Sequence, residues 1–261
     1  MSDLITMTQD DGIARLFLNR PEVFNAFDHD MVEHFARYLV MLAVDDNVRG
    51  VVISGKGKVF CAGGDLKWVS EFPLGASVAF HKLAGSFHQA ISEIRRMPKP
   101  VIAAINGIAA GGGFSLALAC DFRVMAQSAS LRQAYTSNGL CIDGGGTFIL
   151  PRLVGLARAL EIVAFDKPIS SEQALAWGLT TKVVEDGRSV EEAVEMAHEL
   201  ARGSLNSFGW SKQLLTDSFN MAFEAQIERE RVGLCSCAGH PDGKEGLQAF
   251  VEKRKPVFVV K

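Results

Sequence analysis

The chain has 261 residues, 48% of them hydrophobic, which suits one large α/β domain or one domain with a helical appendage and is too long for a small stapled fold. A formal net charge of −3 gives no electrostatic reason to expect nucleic acid or an anionic membrane as partner. Five scattered cysteines (Cys61, Cys120, Cys141, Cys235, Cys237), no apolar run near membrane-spanning length and a start, Met1-Ser2-Asp3, without a basic leader read together as a soluble, cytoplasmic protein with reduced thiols.

In chain order, Leu4 to Thr8 alternates, Asp10-Asp11-Gly12 supplies a turn and Ile13 to Leu18 resumes, which predicts an opening hairpin. Asp28 is placed to cap a helix reaching about Ala43, with Val32, Phe35, Ala36 and Leu39 on one face. Val51-Val52-Ile53-Ser54 reads as a strand and runs into a first glycine group, Cys61-Ala62-Gly63-Gly64-Asp65. Trp68 to Leu83 has little pattern and reads as mobile. Phe87, Ile91 and Ile94 mark a helix that stops near Met97-Pro98-Lys99-Pro100. Val101 to Ile105 is a buried strand, followed by a second glycine group, Gly111-Gly112-Gly113, which opens the apolar helical run Phe114 to Ala119. Phe122 to Ala126 is another strand.

Strands alternating with helices predict βαβ units and a mostly parallel sheet. After Gly144 the pattern turns helical. Ser170 with Gln173 and Ser189 with Glu192 have capping-box spacing, and Val190, Ala193, Val194, Ala197 and Ala201 form a stripe. The chain divides softly into a sheet-bearing core, residues 1–200, and a helical segment, residues 201–261.

Each glycine group alone reads as a tight turn as readily as a site. Glycine also lets a backbone N–H approach a ligand closely, and a helix start adds unpaired N–H groups with partial positive charge. Two such groups converging on one oxygen would make an oxyanion hole for an enolate or a tetrahedral adduct.

Asn19-Arg20-Pro21-Glu22-Val23-Phe24-Asn25-Ala26, Phe60-Cys61-Ala62-Gly63-Gly64-Asp65-Leu66, Pro100 to Gly107 with Gly111-Gly112-Gly113, and Leu150-Pro151-Arg152-Leu153-Val154-Gly155 together resemble the crotonase superfamily, the enoyl-CoA hydratase/isomerase family. Phe250 to Pro256 is similar to its C-terminal signature. The resemblance implies acyl-CoA substrates, an α/β spiral of ββα units, a C-terminal α-helical trimerisation region, and homotrimers that often pair into hexamers. It makes the N–H groups of Gly64 and Gly112 the oxyanion donors. It places Val23, Phe24, Ala26, Ala62, Asp65 and Leu66 against the adenine and pantetheine of coenzyme A, Lys58 near its phosphates, and Phe250 and Lys253 at the coenzyme of a neighbouring subunit. Coenzyme A enters as part of the substrate, and no further cofactor is implied. No HExxH or Cys/His cluster suggests a metal, and no Walker loop or GxGxxG suggests a nucleotide cofactor.

The family shares the hole and varies the acid/base groups, so the reaction depends on side chains. Where hydratases carry two glutamates this chain has Ser115 and Tyr135, whose hydroxyls titrate too high to act as a carboxylate base. Asp143 is the carboxylate left in that stretch. Its spacing before Gly144-Gly145-Gly146 favours a helix N-cap. Its sequence context instead resembles the single-aspartate isomerase branch, where one carboxylate shuttles a proton between C2 and C4. The same position matches the nucleophile of chlorobenzoyl-CoA dehalogenases, and His88 matches the histidine of those enzymes. On an amphipathic helix a histidine is also simply a surface residue, and His81 lies seven residues before it. The expectation is a double-bond isomerase with Asp143 as acid/base, Tyr135 orienting Asp143 or the acyl group, and Ser115 lining the pocket with His88 nearby. Alternatives are an aromatic or alicyclic acyl-CoA hydrolase or dehalogenase, an atypical hydratase, and a CoA- or RNA-binding homologue without catalysis.

Overall fold

The computed structural model describes residues 3–258, so Met1 and Ser2 of the start read above lie outside the described residues. The expected hairpin forms from β1 (Ile5–Asp10) and β2 (Ile13–Leu18), with Asp10 opposite Ile13. Asp11 and Gly12 both take positive φ, 44° and 76°, the two-residue turn that matches the twist of paired strands. Asp28 caps α1 (His29–Val44) by accepting the Met31 N–H at 2.9 Å.

One order of elements then recurs three times: a strand, a short second strand, and helix. The first unit is β3 (Gly50–Gly55), β4 (Val59–Cys61), α2 (Leu66–Ser70) and α3 (Ala76–Arg96). The second is β5 (Val101–Ile105), β6 (Ile108–Ala110) and α4 (Gly112–Ala119). The third is β7 (Phe122–Ala126), β8 (Ser130–Arg132) and α5 (Gly146–Phe165). Then follow β9 (Ile169–Ser170), α6 (Ser171–Ala176), β10 (Lys182–Val184), α7 (Ser189–Ala201), α8 (Leu205–Asp217), α9 (Phe223–Gly239) and α10 (Pro241–Val251).

The longer strands build a six-stranded sheet, β1-β2-β3-β5-β7-β10, parallel except at β1–β2. The short strands build a four-stranded sheet, β4-β6-β8-β9. The chain thus has the mixed α/β architecture of ββα units that the resemblance implies. Strand alternation sorts the two faces of the large sheet. Val52, Ile102, Ala104 and Val124 pack with Ala193 and Ala197 of α7. Val51, Ile53, Ala103 and Ile105 share a larger cluster with Phe35, Ile94 and Leu116 from α1, α3 and α4. A buried lysine, Lys212 of α8, ties the last helices to this core: its Nζ donates to the Asp121 carboxylate and the Ile94 carbonyl, both at 2.7 Å.

Two expectations are corrected. Trp68 to Leu83 is largely helical: α2 holds its start and α3 begins at Ala76. The pattern is there but is carried partly by alanine, since α3 buries Ala79, Leu83, Phe87, Ala90, Ile91 and Ile94 along one side. Ser189 forms no capping box, because it is already the first helical residue of α7 and Arg188 occupies the cap position. Glu192 is drawn instead to Lys182 and Arg188. The Ser170–Gln173 box is complete, with both reciprocal bonds present.

Candidate active site

The first glycine group lies against the segment before α1. The Phe27 N–H donates to Gly63 O at 2.7 Å and the Asp65 N–H donates to Phe27 O at 2.9 Å, an isolated parallel bridge between Phe27 and Gly64. In such a bridge the residue between the two bonded groups turns its own N–H the other way. Gly64 accordingly faces a cavity of about 490 Å³. Gly112, the first residue of α4, faces the same cavity with an N–H that has no intrahelical partner. Among the described residues neither N–H donates to a protein acceptor. Helix α4 is buried along its whole length, so its positive end acts in a low-dielectric setting.

The two loops meet because side chains are missing where they touch. A Cβ on Gly63, whose φ is 96°, would stand 2.9 Å from both Gly112 N and Ala110 O. A Cβ on Gly113 would stand 2.7 Å from the Cβ of Cys61 and nearer still to the Cys61 carbonyl oxygen. The cysteine of this motif is itself inert: burial pushes its thiol up to about 12, and the thiol donates to Asn25 O.

The cavity wall is mainly apolar, with Phe27, Phe80, Leu83, Phe87 and Leu140, and Asp143 and Tyr135 also open onto it. Asp143 is not a helix cap. Gly144 and Gly145, with φ of 59° and 77°, separate it from α5, and its carboxylate turns to side chains instead. Tyr135 donates its O–H to Asp143 Oδ1 at 2.6 Å. Burial, and then the neighbouring carboxylate, raise the phenol well above its ordinary value, so it remains a proton-bearing donor. On the other oxygen, Oδ2, His88 Nε2 of α3 stands at 3.5 Å. The same nitrogen accepts the Gly144 N–H at 3.3 Å. Oδ2 is thus the carboxylate oxygen that the Tyr135 hydroxyl does not hold, and Asp143 lines the cavity.

Ser115 departs from expectation. It lies on α4, fully buried behind the site, and donates to the backbone carbonyl of Asp143 at 2.8 Å instead of lining the cavity. His88 is exposed beside the carboxylate, whereas His81 reaches the cavity wall. Of the residues assigned to coenzyme A, Phe24, Lys58, Ala62 and Leu66 are exposed, Val23 is half-buried and Ala26 is buried. Asp65 accepts the Trp68 N–H as the cap of α2 and also bonds Arg20, each at 3.1 Å. Phe250, in the last turn of α10, and Lys253, just past it, are exposed and do not line the cavity. Among the described residues no group of three or more His, Cys, Asp or Glu is arranged to hold a metal, and no helix is long and apolar enough to cross a membrane.

The wall residues Phe27, Phe80 and Leu140 escape a reading of motifs. The one signal available was the phase of α3, which sets Phe80 and Ala84 beside its buried stripe.

A family model described as enoyl-CoA hydratase/isomerase matches residues 8–261. A 1,2-epoxyphenylacetyl-CoA isomerase of Escherichia coli (strain K12) is 34% identical to this chain, with 100% of each covered. A 4-chlorobenzoyl coenzyme A dehalogenase-1 of Arthrobacter sp is 32% identical, covering 95% of this chain and 91% of that one. The crystal structure of an enoyl-CoA hydratase from Polaromonas sp. JS666 matches with a TM-score of 0.93 at 35% identity, covering 98% of this chain and 99% of that one.

Proposed function

From the premise that this chain belongs to the enoyl-CoA hydratase/isomerase family, and is therefore an acyl-CoA-processing enzyme, we propose that it moves a double bond within an enoyl-CoA. The observation that carries this reading is a single carboxylate, Asp143, opening onto the cavity that the free N–H groups of Gly64 and Gly112 also face. The thioester oxygen of a 3-enoyl-CoA would sit between the two N–H groups. Asp143 Oδ2 takes the proton from C2, and the electron pair spreads into a dienolate whose oxygen the two donors stabilise. Asp143, whose acid proton exchanges in part with solvent, then gives a proton to C4, leaving a 2-enoyl-CoA and an unchanged carboxylate. Tyr135 holds Oδ1, so the shuttling oxygen keeps its direction. Ser115 and Tyr135 supply no second carboxylate for adding water. Coenzyme A is part of the substrate, and the reaction requires no other cofactor.

The contact between His88 and Asp143 favours a second reading, in which the Asp143 carboxylate attacks an aromatic or alicyclic acyl-CoA, displacing a ring halide or the CoA thiolate, and His88 activates the water that hydrolyses the resulting ester or anhydride and restores the carboxylate. One pair of experiments separates the two. A 3-enoyl-CoA incubated in deuterated water should yield 2-enoyl product and wash label into C2 or C4. In single turnovers in heavy-oxygen water, label appearing in the Asp143 carboxylate would reject isomerisation in favour of attack.

We also propose that the chain assembles as a homotrimer, alone or paired into a hexamer, through its last helices. The support is a set of large apolar side chains left exposed there, including Phe219, Phe223, Leu234, Leu247 and Phe250, the last 83% exposed. Sedimentation equilibrium should return three or six times the 28.3 kDa chain mass. A monomer at micromolar concentration would reject the assembly.

A further inference from the structure

We propose that Arg20 is the positioning residue that holds the Gly64 N–H in register with that of Gly112. The inference rests on the reading of those two groups as donors to a thioester oxygen. Arg20 does not line the cavity. Its guanidinium lies 3.0 Å from Asp28 Oδ2, donates to Ala26 O at 2.7 Å, and donates to Asp65 Oδ2 at 3.1 Å. The remaining oxygen of each carboxylate caps a helix: Asp28 takes the Met31 N–H of α1 and Asp65 takes the Trp68 N–H of α2.

One cation therefore ties residues 26 to 28 to Asp65, the two sides of the bridge from which Gly64 presents its N–H. All three side chains are largely buried, at 15%, 19% and 14% exposure for Arg20, Asp28 and Asp65. Without the guanidinium, two buried carboxylates would face each other with nothing between them. The loop ahead of Gly63 has its own anchor, since Asn25 Nδ2 donates to the carbonyls of Lys56 and Val59 at 3.0 and 2.7 Å. What Arg20 fixes beyond that anchor is the part that follows Gly63. A donor displaced by about 1 Å loses hydrogen-bond geometry and about 10²-fold in rate.

The test uses full-length Arg20→Met and Arg20→Lys variants with two probes. The first is butyryl-CoA labelled with carbon-13 at the thioester carbon, whose carbonyl stretch falls in frequency when the oxygen is polarised. The second is turnover of a 3-enoyl-CoA. Arg20→Met should lose at least about half of the wild-type frequency shift and about 10- to 100-fold in kcat, with KM within about threefold. Arg20→Lys keeps the charge but not the fork that spans two carboxylates, and should fall between Met and wild type. Arg20→Lys decides the matter if the methionine variant does not fold. A full frequency shift with unchanged kcat in either folded variant would overturn the proposal, as would a rise in KM alone. If the wild-type protein itself produces no shift, the donor reading fails and the proposal with it.

Discussion

Replacing Asp143 by alanine should lower isomerisation of a 3-enoyl-CoA by at least about 10³-fold, because the substitution removes the one group placed to take and return the proton. The loss should fall on kcat, with KM changed only slightly, since the wall and the oxyanion donors are untouched. Asp143→Asn is the sharper version: an amide can still accept from Tyr135 but cannot carry a proton between carbons. Tyr135→Phe should lose only about tenfold, because it frees the carboxylate that the 2.6 Å hydrogen bond now orients without removing it. Steady-state rates and the wash-in of solvent deuterium at C2 measure all three. Double-bond migration at the wild-type rate in Asp143→Ala would remove Asp143 from the mechanism.

Gly113→Ala should damage the hole without altering any group that touches substrate. The added methyl would meet the Cys61 side chain at 2.7 Å and press on the Cys61 carbonyl, so β4 and α4 must move apart. Overpacking of this kind destabilises by about 1–3 kcal/mol. Separating the Gly64 and Gly112 donors by about 1 Å should lower kcat about 10²-fold. Gly85→Ala is the matched control: it lies inside α3 with open space around the new methyl, and should raise stability by up to about 1 kcal/mol with normal turnover. Thermal melts and kinetics on the two variants together check the argument. Equal kcat in both would mean that the spacing of β4 and α4 does not set the donor geometry.

Long apolar strands were legible in the sequence because four or five buried residues between breakers leave little choice, and Val101–Ile105 and Phe122–Ala126 fall where they were expected. The short strands Val59–Cys61, Ile108–Ala110 and Ser130–Arg132 were not legible, since three residues carry no alternation to detect. The start of α3 was lost for a different reason: Ala79 is fully buried, but alanine is too small to mark a stripe. At the site, spacing favoured Asp143 as a helix cap over a free carboxylate. The structure turns the carboxylate to Tyr135, eight residues before it, and to His88 on α3, partners that the family resemblance suggested and that local spacing did not. Arg20 and Asn25 belong to the motif that carried the family resemblance, yet their ties to Asp65, Lys56 and Val59 are long-range hydrogen bonds and were unreadable from it.

The two N–H groups that Gly64 and Gly112 leave unpaired belong to the main chain, and the side chains around Asp143 hang from separate segments: His88 from α3, Ser115 from α4, Tyr135 and Asp143 from the stretch before α5. Inheritance therefore acts on the two parts differently. Under the proposed mechanism, codon changes at positions 88, 115, 135 and 143 would redirect an enolate toward a new product, while the two main-chain donors have no side chain at their contact point for such changes to remove. If the proposed function holds, a lineage built on this scaffold can explore chemistry by point mutation without first rebuilding its means of activating a thioester.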